Sequence, residues 1–314
     1  MQAAMRDCQT FSSVEELADL LQATGLDLQL CQLSGGRLQG RMALKELGGL
    51  RLLRLQVNRR LLFAGSKPAH RQLVALDLAM GPRQAPLRAH GVAMLPDTLF
   101  GLDARSEVHL STPELLDLGV VMLERSVLQQ SSNEFGGPDL TAPRLSANWL
   151  EVGPERHRSL RQLLLTLLSA PTAPAGAIQG DLVPLLLEAM VHGSGCRADL
   201  CPPPARIDLV KQVQQWVEDH PGEPISLETL CRQAHVGRRS LLQGFREHLG
   251  MGPMAYIKLK RLHGIRRELL RAQPESVTVA GLAARWGFLN PGHFARDYQR
   301  LFGVLPSQTL NGRG

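Results

Sequence analysis

Two short stretches near the C-terminal end carry the side chains best placed to do chemistry, and that chemistry is recognition without bond making. Arg238, Arg239, Gln243 and Arg246 fall at helical spacing on the polar side of one segment; Asn290, His293 and Arg296 do so further along. A guanidinium donates to two acceptors on the edge of guanine, and a carboxamide matches adenine edge to edge. Each such pair is worth roughly 1 to 3 kcal/mol of discrimination. Lys258 and Arg261, on the stretch between the two, are expected to act as plain cations toward phosphate, which attracts without reading sequence. Together these residues make a candidate DNA-reading set.

The elements that must hold them follow one plan, repeated. In the first copy Leu227, Leu230, Cys231 and Ala234 recur at helical spacing, Ser226 stands as N-cap and Glu228 sits in the first turn. His235-Val236-Gly237 then breaks the helix, since His and Gly tolerate unusual backbone angles better than β-branched residues do. Leu241 and Phe245, four apart, turn inward on the next helix, with Leu242 among the residues left outward. In the second copy Ala283, Trp286 and Phe288 pack inward and Gly287 makes the turn. Asn290-Pro291 supplies a cap followed by Pro at the first helical position, and Phe294 and Tyr298 repeat the inward spacing. Each copy is expected to be a helix-turn-helix whose second helix fits a major groove. Pro253 to Leu270 predicts the connecting helix, with Lys258, Lys260, Arg261, Arg266 and Arg267 around its outside.

Charge is divided in the same way. Residues 205–314 hold 16 Lys and Arg against 9 Asp and Glu, whereas residues 1–204 hold 19 against 20. The basic excess therefore lies wholly with the twin motif, as phosphate binding requires. A length of 314 residues with 44% hydrophobic composition predicts two folded units with real cores. Five cysteines (Cys8, Cys31, Cys196, Cys201, Cys231) form no disulfide-like array, and neither a signal segment nor a membrane-length apolar run is present. A soluble, cytoplasmic protein is expected.

The first half has a different texture. Ser13 to Ala23 predicts a lead-in helix. From Leu26 to about Leu123, short apolar runs alternate with polar residues between breaks such as Gly48-Gly49 and Met80-Gly81-Pro82; Leu53, Leu55 and Val57 against Arg54 and Gln56 is one case. This predicts a small antiparallel barrel or sandwich. His70, His90 and His109 stand alone on separate segments, so no metal site is expected, and no nucleophile or phosphate loop comes with partner residues. Residues 130–153, with Ser131-Ser132-Asn133, Gly136-Gly137-Pro138 and Pro143, predict a loop or linker. Arg156 to Ser169 and Asp181 to His192, separated by Pro171 to Gly176, predict two leucine-faced helices, either packed on the barrel or forming a dimer contact. Pro202-Pro203-Pro204 marks the hinge, and Ile207 to Val217 begins the basic unit.

From about Arg206 to Leu310 the sequence resembles the DNA-binding domain of AraC-type (AraC/XylS) transcription regulators. The likeness rests on Gly287-Phe288, Phe294, Arg296 and the closing Leu-Phe-Gly-Val-Leu-Pro-Ser run. Within that family it is most similar to regulators of the ethanolamine-utilisation type, through Leu230-Cys231, His235-Val236, Arg238-Arg239-Ser240-Leu241, Arg266-Arg267-Glu268-Leu269, Trp286-Gly287-Phe288, Phe294-Ala295 and Asp297-Tyr298. It departs from the wider family at Cys231, where Ala is usual, and at Gly237, where a capping Ser is usual. The resemblance implies an α+β chain: a cupin-like β-barrel sensing domain (1–130), a linker and helical dimerisation segment (131–204) and an all-α double helix-turn-helix domain (205–314). It implies an effector-responsive regulator, more often activator than repressor, acting as a homodimer on a double-stranded operator and on RNA polymerase, with no cofactor and no membrane partner. The effector is not carried across, because the likeness lies in the DNA-binding part. Two other classes stay open: a cupin-type enzyme fused to a DNA-binding tail, and a nonspecific nucleic-acid binder.

Overall fold

The computed structural model describes residues 5–47, 49–79, 85–102, 107–134, 148–170, 181–194, 206–221 and 223–312. The N-terminal unit runs β1 (Met5–Phe11), α1 (Val14–Gln22), β2 (Asp27–Gln32), β3 (Gly40–Leu47), β4 (Leu50–Val57), β5 (Leu61–Ser66), β6 (Arg71–Asp77), β7 (Arg88–Ala89) and β8 (Val92–Ala93). It continues with β9 (Thr98–Phe100), β10 (Glu107–Ser111), β11 (Leu116–Glu124), α2 (Arg125–Glu134), β12 (Trp149–Glu151), α3 (Pro154–Ser169) and α4 (Val183–His192). The strands form two antiparallel sheets, one of seven strands in the order β1-β3-β4-β11-β6-β9-β12 and one of five in the order β2-β5-β10-β7-β8.

These sheets are open, so the closed barrel is not formed. The reason lies in β4, β6 and β11, which are apolar on both sides and must be covered on both. Leu53, Leu55, Val57, Leu118, Val120 and Met122 face the smaller sheet. Leu50, Leu52, Val74, Leu76, Val121 and Leu123 face the other way, against α2, α3 and α4. The outer face of a barrel would leave that second set in water. Leu160, Leu164 and Leu167 of α3 and Leu186 of α4 are at most 2% exposed within this layer, and each such burial contributes about 2 kcal/mol. The leucine faces thus pack on the sheet, the first of the two arrangements open to them. Lys45 of β3 fixes the end of α3, donating to the carbonyls of Leu167 at 2.6 Å and Ala170. A cation suits these unpaired C-terminal carbonyls.

Some local expectations change. The lead-in helix forms as α1, with Ser13 Oγ accepting from Glu16 N–H, but a strand, β1, precedes it and pairs with β3. Ser131-Ser132-Asn133 continue α2, where Gln129 and Gln130 donate to side chains four residues on, and β12 closes the edge of the large sheet. Met80-Gly81-Pro82, Gly136-Gly137-Pro138, Pro143, Pro171 to Gly176, Pro202-Pro203-Pro204, Cys196 and Cys201 lie outside the described residues.

The C-terminal unit is all helical: α5 (Ile207–Asp219), α6 (Leu227–Gln233), α7 (Arg238–Leu249), α8 (Pro253–Arg271), α9 (Val279–Arg285), α10 (Pro291–Phe302) and α11 (Pro306–Leu310). It has two small cores. One gathers α5, α6, α7 and the start of α8 around Phe245 and Tyr256; the other gathers the rest of α8 with α9 and α10 around Phe294 and Tyr298.

Candidate nucleic-acid interface

Each core presents one helix. In the first copy Ser226 Oγ accepts from Thr229 N–H at 3.0 Å and starts α6. His235, at φ 52°, turns the chain, and Val236 N–H closes onto Cys231 O at 3.0 Å. In the second copy Thr278 caps α9 and Asn290 Oδ1 accepts from His293 N–H at 3.0 Å to start α10. Gly287, at φ 80°, makes the corresponding turn, with Phe288 N–H on Ala283 O. His235 and Gly287 therefore occupy the same left-handed position, which glycine reaches without strain and histidine with some. Gly237 caps α7 by backbone alone.

Leu241, Phe245 and Leu249 of α7 are fully buried, whereas Arg238, Arg239, Gln243 and Arg246 are exposed. In α10, Phe294 and Tyr298 are buried and His293 and Arg296 exposed, with Asn290 at its cap also exposed. Leu242 is half-buried. Arg300, seven residues after His293 and likewise exposed, continues the polar stripe and was missed, although the spacing could have found it. Leu289, 93% exposed beside the cap of α10, was missed too; an apolar residue in a turn gives no pattern to detect. Gln243 Nε2 donates to Glu247 at 2.7 Å, and this bond holds the Glu247 carboxyl below its ordinary range.

The connecting helix departs from a plain solvated surface. Lys258 pairs with Asp297 of α10 at 2.5 Å, Lys260 with Glu218 of α5 at 2.6 Å, and Arg261 donates to Glu223 O at 2.6 Å. Arg266 is buried, with Nε 3.2 Å from Glu15 of α1 and its guanidinium over the Phe302 ring. Trp286 lies against Gly264 so closely that a Cβ there would stand 2.1 Å from the indole. Its Nε1–H donates to Glu268 at 2.8 Å.

The N-terminal unit holds the far ends of both exposed helices. Arg60 donates to Leu249 O, the last carbonyl of α7, at 3.2 Å. Gly36 N–H donates to Arg300 O at 2.8 Å and the Gln32 side chain to Leu301 O at 2.7 Å, in the last turn of α10. The docking thus occupies C-terminal ends, while Arg238, Arg239 and His293 lie toward the N-terminal ends, the part of a recognition helix that meets base edges. The edge strand β2 is closed by α8. Its Gln32 N–H donates to His263 Nε2 at 2.9 Å. Burial pushes the His263 pKa down to about 3. His109 meets Gln214 of α5 at 2.9 Å, and burial lowers its pKa as well. Lys211 reaches His90 at 3.1 Å and Glu107 at 3.0 Å. Among the described residues no three His, Cys, Asp or Glu side chains gather in a way that would hold a metal, and no helix is long and apolar enough to cross a membrane.

Two helix-turn-helix units on a shared helix, with basic and amide side chains outward, define a DNA-binding domain. The family described as a helix-turn-helix domain matches residues 230–312. Over 109 residues the chain is 40% identical to the probable thc operon regulatory protein of Rhodococcus erythropolis, covering 35% of this chain and 33% of that one. Over 103 residues it is 38% identical to the XylDLEGF operon transcriptional activator 3 of Pseudomonas putida, covering 33% and 31%. A probable AraC family transcriptional regulator from Rhodopseudomonas palustris, of known structure, is 34% identical, covering 34% of this chain and 97% of that chain, at a TM-score of 0.32. The match spans about a third of the length of the two curated relatives. The C-terminal third of the chain is a helix-turn-helix domain of the AraC/XylS type, and the relatives that share it are named as regulators.

Proposed function

We propose that the whole chain is a cytoplasmic transcription regulator that reads a double-stranded operator through α7 and α10. The observation that carries this is the pair of separately cored helices, each keeping base-reading side chains exposed while its other face is buried. Arg239 and Gln243 read through α7; His293 and Arg296 read through α10, with Arg238, Arg246 and Asn290 steadying the backbone of the DNA. Leu289 is placed to touch a thymine methyl group. Lys258 and Arg261 approach phosphate from the connecting helix, giving up part of their contacts to Asp297 and Glu223.

Activation is favoured by the naming of the Pseudomonas putida relative as an activator, and contact with RNA polymerase belongs to the proposal through the family likeness alone. The motifs shared with ethanolamine-utilisation-type regulators support that subtype for the DNA-binding domain alone. Effector response fits a β-rich unit that grips the ends of both reading helices. Homodimerisation rests on the family likeness, since the leucines of α3 and α4 are occupied within the chain; sedimentation of the intact protein at rising concentration decides it. The test of the main proposal is selection of binding sites from random duplex DNA by the full-length protein. Enrichment of a bipartite site whose parts lie roughly one helical turn apart is expected. Recovery of DNA with no common sequence supports the nonspecific binder instead.

A further inference from the structure

Between α3 and the β7–β8 hairpin lies a groove of about 890 Å³, within the roughly 300 to 1,000 Å³ that small-molecule sites occupy. The space between the two sheets is much smaller, about 90 Å³, and mainly apolar. One wall of the groove is the stripe of α3 that flanks the buried leucines, carrying His157, Arg158, Arg161 and Leu165. Thr98 and Phe100 of β9 form the floor, and Leu87 and Met94 of the hairpin the other side. Asp77 and Asp97 also line it.

Two polar atoms of these walls have no partner. Thr98 is 2% exposed and its hydroxyl makes no hydrogen bond; the same holds for His157 Nε2. A hydroxyl buried without a bond is costly; Thr98 lies on the floor of the groove, where a ligand that shifts its neighbours slightly could supply the missing bond. Burial lowers the His157 pKa and keeps the imidazole neutral. Arg161 is fixed by one bond, Nε–H to Leu78 O at 2.7 Å, which leaves its two terminal nitrogens without partners among the described residues. Of the acids, Asp77 already accepts from Ala79 N–H at 2.9 Å.

We propose that this groove binds a small amphipathic organic anion. Its charged group lies against Arg158 and Arg161 with hydrogen bonds to Thr98 and His157, and its apolar body rests on Leu87, Met94 and Phe100. Such a ligand would join α3 to the edge of the large sheet. The binding itself stands apart from the reading of the chain as a regulator, and its test involves no DNA.

The experiment is fluorescence titration of the full-length protein with 8-anilinonaphthalene-1-sulfonate, beside N-phenyl-1-naphthylamine, which shares its ring body without the sulfonate. The sulfonate is expected to bind about tenfold or more tightly than the neutral amine. Arg158→Gln and Arg161→Gln should each weaken the sulfonate by about tenfold and leave the amine unchanged. Arg158 is exposed, so that variant folds even if loss of the Leu78 bond unsettles the other. Asp97→Asn, which removes a like charge from the wall, should tighten the sulfonate, a gain that general loosening of the fold does not produce. Equal affinity for the two probes, no binding at about millimolar sulfonate, unaltered binding in both arginine variants, or weaker binding in Asp97→Asn overturns the assignment.

Discussion

Lowering the pH should loosen the seam between the two units through His263. Its Nε2 accepts from Gln32 N–H at 2.9 Å, its ring meets Phe302 edge-on at 5.1 Å, and burial brings its pKa from 6.5 to about 3. A depressed histidine pKa means that the folded chain binds fewer protons than the unfolded one between those values. The associated stability is present above about pH 6.5 and is lost as the pH falls toward 3. At about pH 5 the loss from this one group is about 2 kcal/mol relative to about pH 7.5. His109 and His157 are also depressed by burial and add the same sign, so the effect of His263 must be read as a difference. His263→Gln keeps an acceptor for Gln32 but cannot be protonated. In urea unfolding of the intact protein at the two pH values, wild type should lose about 2 kcal/mol more than the variant. Carbon-13 NMR of the imidazole should show His263 neutral at pH 5. An equal loss in both proteins, or a His263 resonance titrating near 6.5, would refute the reasoning.

Other outcomes follow from single contacts. Gly264→Ala places a methyl group where the Trp286 ring lies, so the second helix-turn-helix should lose about 1 to 3 kcal/mol in urea unfolding; an unchanged midpoint would mean that the ring is not held there. Ser226→Ala removes the α6 cap and should cost about 1 kcal/mol, against little for Ser226→Asp. Lys258→Ala should weaken operator and unrelated DNA alike and lower the salt slope by about one unit. A loss confined to the operator would assign Lys258 to base reading.

The C-terminal unit was legible because its signals are local. Caps at Ser226, Thr278 and Asn290, a turn glycine at Gly287 and inward residues four apart all act within one or two helical turns. Arg266 was not, since it looks like a surface cation until Glu15, 251 positions away, closes on it. The same holds for Arg261, whose acceptor is 38 positions away, and for His263. In the N-terminal unit the alternation of Leu53, Leu55 and Val57 against Arg54 and Gln56 was readable and correct in its faces, with Arg54 on the outside paired with Asp117. Whether the sheets close was not readable, because closure depends on what covers Leu52, Val74 and Val121, and the covering helices come later in the chain. The groove on α3 was hidden for the same reason: Thr98 and Arg161 are far apart in sequence, and nothing near Thr98 marks its hydroxyl as unbonded.

The most direct test of the central claim compares the affinity of full-length protein for its selected operator with that for unrelated DNA of equal length, at one fixed salt concentration. Arg239→Ala and Arg296→Ala should each lower that ratio, by roughly tenfold for a lost bidentate base contact, while binding to unrelated DNA stays close to wild type. An unchanged ratio in both variants would contradict the account, because the exposed faces of α7 and α10 would then not be reading bases.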